Sequence, residues 1–465
     1  MFVSTRVSIF TDHTGAVVEL PGLLTPKGVL TPLLDYFLAR HNERSLAWMS
    51  KVVRSVQLFL EYLQTNLQER DTHLVFRNFA QRLYSGTFDK ETGLDPSGLC
   101  WSPRSSDDAR HIITDLTLFF DWMGKHNPAA AAINPRVKAS AYDRQWNELA
   151  MQYRRDNALL GHLWSSGDAD VGTTWAVRAS REPMTEDVDR PAFPDDRFEE
   201  LITKGFKVGD RFDYRAILIT LLLHGAGFRE SEPFHLYIED VVPDPLNAGM
   251  ALVRIHHPAE GYSPPGWRDA LGRPRRSNRA TYLAEKFGLT PRHKMLDRRA
   301  AGWKGGLHDG KYYKQAFWFQ PYYGELFLEV WNRYLHQVAG VSRAHPFAFL
   351  NLAREPVGEM YTLAQYNKAH AAACRRIGLQ VRKALGTTPH GHRHAYGQKL
   401  AKAGVGKAEI RRFMHHASLE SQAVYTQPGL NDIQQILERA ASKLTLSASP
   451  LALPLHKLGI GVSDE

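Results

Sequence analysis

Cysteine is nearly absent from this sequence: of 465 residues only Cys100 and Cys374 are cysteines. That excludes a disulfide framework and a four-cysteine zinc site, and it suits a chain that works in a reducing compartment. Long apolar runs are missing as well. No window approaches the roughly 18 apolar residues of a membrane-spanning helix. The first residues, MFVSTRVSIFTDHTG, set Asp12 and His13 where a signal peptide needs an unbroken apolar run. A soluble, cytoplasmic chain with no membrane partner is the expectation. Familiar catalytic devices are absent too. AKAGVGKAE, residues 401–409, imitates a phosphate loop but has Ala401 at the first glycine position and Ala408 in place of the Ser or Thr that magnesium needs. No H-E-x-x-H occurs, and no acidic pair flanks the histidine-rich stretch TPHGHRHAYGQ at 388–398. No nucleotide, metal or other cofactor is expected.

What is present is the profile of a globular protein, 43% apolar, 23% charged and 11% aromatic. A single core stops growing at roughly 250–300 residues, so the chain should hold at least two domains. Lysine and arginine outnumber aspartate and glutamate by 58 to 49, a formal charge of +9 that suits an anionic partner, nucleic acid first.

The patterning predicts a mainly α protein with a small antiparallel β-sheet. Residues 1–25 alternate around a Thr-Gly turn and read as an N-terminal arm or hairpin. Residues 26–164 read as a helical domain. Leu46, Met49, Val52, Val53, Val56, Phe59, Leu60 and Leu63 make one apolar stripe, and Ile112, Ile113, Leu116, Phe119, Phe120 and Met123 make another. Arg44, Lys51 and Arg54 cluster on another face of the first of these helices, as a solvated face or a DNA-facing one. Residues 165–192, rich in Gly, Ser, Asp and Pro, read as a linker. Residues 193–445 carry a second domain. It has the apolar helix DYRAILITLLLHGAG and candidate strands ALVRIHH and KYYKQAFWFQ, separated by a basic, irregular insertion, and then helices. Residues 446–465 form a tail with apolar anchors suited to packing on a neighbouring protomer.

Three stretches hold the chemistry-bearing residues. HGAGFRESEPFHL ends an apolar helix on glycines and presents Arg229 at the turn. If a helix starts after Pro389, His390 and Arg393 share a face, with His392 and His394 directed to packing or solvent. A forked guanidinium beside an imidazole suits a phosphate that gains charge in its transition state. In FMHHASLESQAVYTQ, Tyr425 follows His416 by nine residues. With a reference pKa near 10, its phenol needs a positive environment or a base to become a nucleophile. Each stretch alone has a plainer explanation: an Arg229–Glu232 salt bridge, a polar helix start, a core tyrosine.

Taken together and in this order, the stretches resemble the catalytic signature of the tyrosine recombinase (phage integrase) family. GAGFRESE is similar to the family's G-x-R-x-S-E pattern. HGHRH is similar to H-x-L-R-H, with His392 at the apolar position. MHHAS is similar to L-G-H-x-S, with Met414 and His415 where Leu and Gly are common. The resemblance implies an α-helical core-binding (SAM-like) domain followed by a mixed α+β catalytic domain. It implies site-specific recombination or integration of double-stranded DNA, as in a mobile genetic element, by metal-free, ATP-free transesterification. Tyr425 would attack a phosphodiester to give a 3'-phosphotyrosine, Arg229 and Arg393 would neutralise the non-bridging oxygens, His390 would assist or position Tyr425, and His416 would donate to the phosphate. The family's lysine, which protonates the leaving 5'-oxygen, falls on Lys304 in the GWKGG turn, with Lys311 and Lys314 as alternatives. Homodimers to homotetramers on DNA, nucleoid association and room for accessory proteins are further implications. Type IB topoisomerase-like relaxation and a DNA-binding protein that has lost catalysis are the alternative readings; a metal hydrolase built on the histidines lacks its carboxylates.

Overall fold

The computed structural model describes residues 2–10, 17–89, 91–125, 127–156, 171–179, 191–268, 271–275, 277–353 and 355–417. The chain divides into two units, Met1–Met184 and Thr185–Glu465. The first unit opens with strands β1 (Val3–Phe10), β2 (Val17–Thr25) and β3 (Gly28–Val29), antiparallel in that order, with Val3 opposite Leu24 and Phe10 opposite Val17. Then follow α1 (Thr31–Leu38), α2 (Leu46–Thr65), α3 (Thr72–Ser85), α4 (Ser106–Gly124), the single turn α5 (Pro128–Ala131), β4 (Arg136–Lys138), α6 (Ala141–Asp156) and β5 (Thr173–Trp175).

The two predicted stripes are the buried faces of α2 and α4. Their starts are set by side-chain caps: Ser45 accepts from the Trp48 amide and Ser105 from the Asp108 amide. Between them an aromatic cluster fills the core. Phe59 meets Phe76 and Phe79 edge-on at 5.6 and 5.2 Å, and Phe120 closes on it at 5.4 Å. Lys51 and Arg54 lie exposed on the far side of α2. The alternation of residues 1–25 takes the form of the β1–β2 pair, whereas helical periodicity did not announce the short pair β4–β5. Strand β2 buries Leu20 and Leu23 in the helical core, and β5 pairs with β4, inside the stretch read as linker. Asn134 locks that stretch down, donating to the Val177 carbonyl at 3.0 Å and accepting from its amide at 2.9 Å.

In the second unit a 3-10 turn, Asp195–Arg197, and α7 (Phe198–Glu200) lead through a π turn to the hairpin β6 (Lys207–Val208) and β7 (Arg211–Phe212). Helix α8 (Tyr214–Ala226) follows, capped by Asp213 and buried at every position from Arg215 to Ala226. A helix apolar all round must be enclosed, and α10 (Pro321–Val338), α11 (Leu363–Arg376) and α12 (Pro389–Lys402) enclose it. Strands β8 (Val241–Asp244), β9 (Asn247–His256) and β10 (Tyr313–Gln315) form an antiparallel sheet in the order β10-β9-β8. Helix α13 (Lys407–Phe413) is the last element among the described residues. The expected mainly helical fold with a small antiparallel sheet is the one observed.

The basic insertion between β9 and β10 is less irregular than its sequence suggests. It contains α9 (Arg279–Phe287), and buried arginines fasten it. Arg279 pairs with Asp240 and lies 3.8 Å over the Tyr237 ring. Arg292, wholly buried, donates to the carbonyls of Phe234, Arg299 and Tyr361 at 3.1, 2.8 and 2.9 Å. Part of the chain's positive charge is thus spent inside the fold. Among the described residues no helix is long and apolar enough to cross a membrane.

The second unit also buries neutral imidazoles. Burial pushes His224, His235 and His392 well below the ordinary histidine range and His370 down to about 3. Below the unfolded-state value of about 6.5 the unfolded chain takes up protons that the fold refuses, so stability present above that pH is lost on acidification towards the folded values. Each such group costs about 1 kcal/mol by pH 5.5. Urea unfolding followed at pH 7.5 and 5.5 should therefore show a clearly lower midpoint at the acid pH; equal midpoints would contradict burial of the neutral rings.

Candidate active site

Helix α8 ends at Gly227, which has φ of +69° and lies so close to the Tyr396 ring that a Cβ would collide with it. Glycine alone allows that turn without strain. The chain then buries Phe228 and presents Arg229. The Arg229 amide donates to Glu232 Oε2 at 2.8 Å and its guanidinium to Glu232 Oε1 at 3.0 Å. Lys314, from β10, donates to the same Oε1 at 2.7 Å. Both the Lys314 and Glu232 side chains are fully buried. Burial would raise the Glu232 pKa, but Lys314, Arg229 and Arg393 outweigh it and hold the carboxyl at about 2. Burial in turn lowers Lys314, with Glu232 opposing. The ammonium also lies 4.4 Å over the Trp303 ring and donates to the Lys304 carbonyl at 3.2 Å.

Arg393 comes from α12. Pro389 occupies the first turn of that helix, as its fixed φ favours. Its guanidinium donates to the Gly227 carbonyl and, at 2.7 Å, to the Met414 carbonyl. One side chain therefore ties the end of α8 to the end of α13. His416 lies three residues past the end of α13. Its amide donates to the Arg411 carbonyl at 2.9 Å, and the Arg411 guanidinium donates to the Ala417 carbonyl at 3.0 Å. Burial, then Arg393 and Arg229, depress its imidazole to about 3, so it is neutral near pH 7.

His415 has φ of +53°, a conformation in which glycine is at ease, which explains why the resembled pattern has Gly there. The histidine is held in it by its ring, stacked on Phe228 at 5.3 Å, with Nε2 2.7 Å from Asp309 Oδ2. Asp309 also accepts from the Gln315 amide at 2.9 Å, joining the end of the insertion to β10. Gly306 lies against the His415 carbonyl where no Cβ would fit.

The structure thus brings together Arg229, Arg393 and His416 from the sequence-predicted set, with Glu232 and Lys314 at their centre. His390 stands exposed at the start of α12, its ring 4.5 Å from that of His394. The Lys304 side chain is exposed, and its positive charge is among those lowering His416. Tyr425 and the tail at 446–465 lie outside the described residues. The sequence marks Glu232 as a plain ion-pair partner and His415 as a departure from the third motif, and it gives no sign of Asp309, to which His415 is bonded. Glu232 was visible as the last letter of the first motif; Asp309 lies in no pattern and could not have been found. Among the described residues no group of three or more His, Cys, Asp or Glu side chains is arranged to hold a metal ion.

No family model and no curated protein matches the sequence. Among solved structures, the chain is similar to XerH site-specific recombinase bound to palindromic difH substrate in a post-cleavage complex, at 15% identity over 85% of this chain and 80% of that one, with a TM-score of 0.46. It is similar to the Tn1549 transposon integrase in complex with transposon right end DNA, at 14% identity over 88% of this chain and 98% of that one, with a TM-score of 0.44. It is also similar to lambda integrase bound to DNA, at 13% identity over 77% of this chain and 96% of that one, with a TM-score of 0.27. At TM-scores below 0.5 these likenesses leave any assignment of function to the residues of the site.

Proposed function

We propose that the chain is a site-specific tyrosine recombinase, a transesterase that cleaves and rejoins double-stranded DNA and works as a dimer or tetramer on paired sites. The observation that carries this reading is the gathering of Arg229, from the turn after α8, and Arg393, from α12, about one buried carboxylate with a neutral imidazole beside them. Two guanidiniums supply the positive charge that a phosphoryl transition state requires without drawing on a metal. Neutral His416 has one N–H to donate to a non-bridging oxygen.

In this reading the Tyr425 oxygen attacks phosphorus, the bond from phosphorus to the 5'-oxygen breaks, and a 3'-phosphotyrosine and a 5'-hydroxyl result. His390 assists loss of the phenolic proton. One ester replaces another, so a 5'-hydroxyl from a second strand reverses the step without ATP. Lys304 gives the leaving oxygen its proton. Lys314 is engaged with Glu232, Trp303 and the Lys304 carbonyl, which suits a role in holding the turn that carries Lys304.

Incubation with DNA from the flanks of the gene, followed by a denaturing gel, should reveal a covalent protein–DNA adduct. Tyr425→Phe should abolish the adduct and leave specific DNA binding nearly intact, because only the nucleophilic oxygen is removed; an adduct that persists sinks the assignment. Arg229→Ala and Arg393→Ala should each slow cleavage by about 10² to 10³. Wild-type rates in either folded variant would make that arginine structural. Lys304→Ala should cleave ordinary DNA poorly and recover on DNA whose bridging 5'-oxygen is sulfur, since a thiolate leaves without a proton. Sulfur rescue confined to Lys311→Ala or Lys314→Ala would move the acid to that residue.

A further inference from the structure

Behind Arg393 the second unit buries a chain of polar contacts that the proposed chemistry does not use. Lys399 Nζ lies 2.7 Å from His224 Nε2; His224 Nδ1 lies 3.1 Å from His392 Nδ1; His392 Nε2 lies 2.8 Å from His370 Nε2. His370 Nδ1 is 3.7 Å from the Cys374 sulfur, which itself donates to the Thr387 carbonyl at 3.8 Å. The three rings come from α8, α12 and α11, and all are fully buried. Two of them are clamped face-on: Phe198 stacks on His224 at 3.8 Å and 9°, and Phe193 on His392 at 4.1 Å and 25°.

The polarity of this chain follows from donor counting. A neutral imidazole has one donor and one acceptor nitrogen, whereas an ammonium only donates. Lys399 therefore makes His224 Nε2 an acceptor, which puts the His224 proton on Nδ1. That proton makes His392 Nδ1 an acceptor and places the His392 proton on Nε2. His370 then accepts at Nε2 and donates from Nδ1 to the thiol. Each link dictates the next. A rival polarity exists, because Asp195 Oδ1 lies 3.4 Å from the same His224 nitrogen. A carboxylate there would accept from Nε2–H and invert every ring in turn, ending with the thiol donating to His370. The shorter Lys399 contact decides between them, and Asp195 instead takes the ammonium at 2.9 Å.

We propose that His224, His392 and His370 form a one-way hydrogen-bond chain, set by Lys399, that locks α12 onto α8 and so acts as a positioning device for Arg393. His392 immediately precedes Arg393, and His224 lies three residues before Gly227, whose carbonyl Arg393 grips. The chain thus fastens the same two helices next to the arginine's own contact. Burial holds all three imidazoles far below the ordinary histidine range, consistent with neutral links. Conventional packing would place an apolar residue at 392; a histidine there is tolerable only because two further histidines complete its bonds.

The tautomers can be read directly from two-bond proton–nitrogen spectra of the full chain labelled with ¹⁵N-histidine, with signals assigned through single His→Gln variants. The wild type should carry its protons on His224 Nδ1, His392 Nε2 and His370 Nδ1. In Lys399→Met the Asp195 carboxylate takes over, and all three should invert together; Lys399→Arg should restore the original pattern. Any other wild-type pattern, or inversion of a single ring, overturns the chain. The positioning role rests on the proposed reaction and is read separately. Lys399→Met should slow adduct formation by about tenfold or more at unchanged DNA affinity, as misplacement of a distant support does, and Lys399→Arg should recover it. An unchanged rate in Lys399→Met overturns the positioning role while the spectra still decide the chain. A wild type that forms no adduct on its own site removes the proposed reaction itself, and the positioning role with it.

Discussion

The site depends on one buried carboxylate. The Glu232 side chain is fully buried with three cations within electrostatic reach, and it stays ionised because their combined attraction exceeds the cost of desolvating it. Take that charge away and buried Lys314 and half-buried Arg229 lose the carboxylate oxygen they share. The carboxylate therefore does more than accept hydrogen bonds. It fixes where the 3-10 turn Glu232–His235 meets strand β10, and so brings residues far apart in sequence into one place.

Around that charge, positioning is done largely by main-chain oxygens. Arg393 holds the carbonyls of Gly227 and Met414, Lys314 holds that of Lys304, and Arg411 holds that of Ala417. Each cation stops a chain segment at a turn or helix end, where carbonyls lack helical partners. The same groups that give the site its positive potential thus also build its walls. An excess of buried positive charge, costly by itself, is offset by satisfying acceptors that would otherwise have no donor.

Much of this was legible in the sequence, for identifiable reasons. The stripes of α2 and α4 showed because packing against one core imposes the helical period on apolar positions. Arg229 and Arg393 showed because the turn glycines and Pro389 mark where their helices end and begin. The insertion did not show as structure, because Arg279 and Arg292 look like surface residues in composition and are buried only through partners distant in sequence. The strand pair β4–β5 was hidden for a similar reason: short edges in a Gly- and Ser-rich stretch carry no periodicity, and the tie through Asn134 and Val177 is long-range. His392 was read as a packing or solvent residue, and its bonds to His224 and His370 lie on helices no local pattern connects.

The anchoring of Arg292 has an evolutionary corollary. Its guanidinium grips three backbone oxygens, those of Phe234, Arg299 and Tyr361, and backbone oxygens are the same whatever side chain stands above them. The joint is therefore blind to drift at its three receiving positions so far as its own bonds go, while the burden of keeping it falls on one codon. A lysine could not substitute there, because a single ammonium has no planar fork to span three separate segments. Lineages descended from this chain are free to rewrite the body of the insertion, but they should carry that arginine with it.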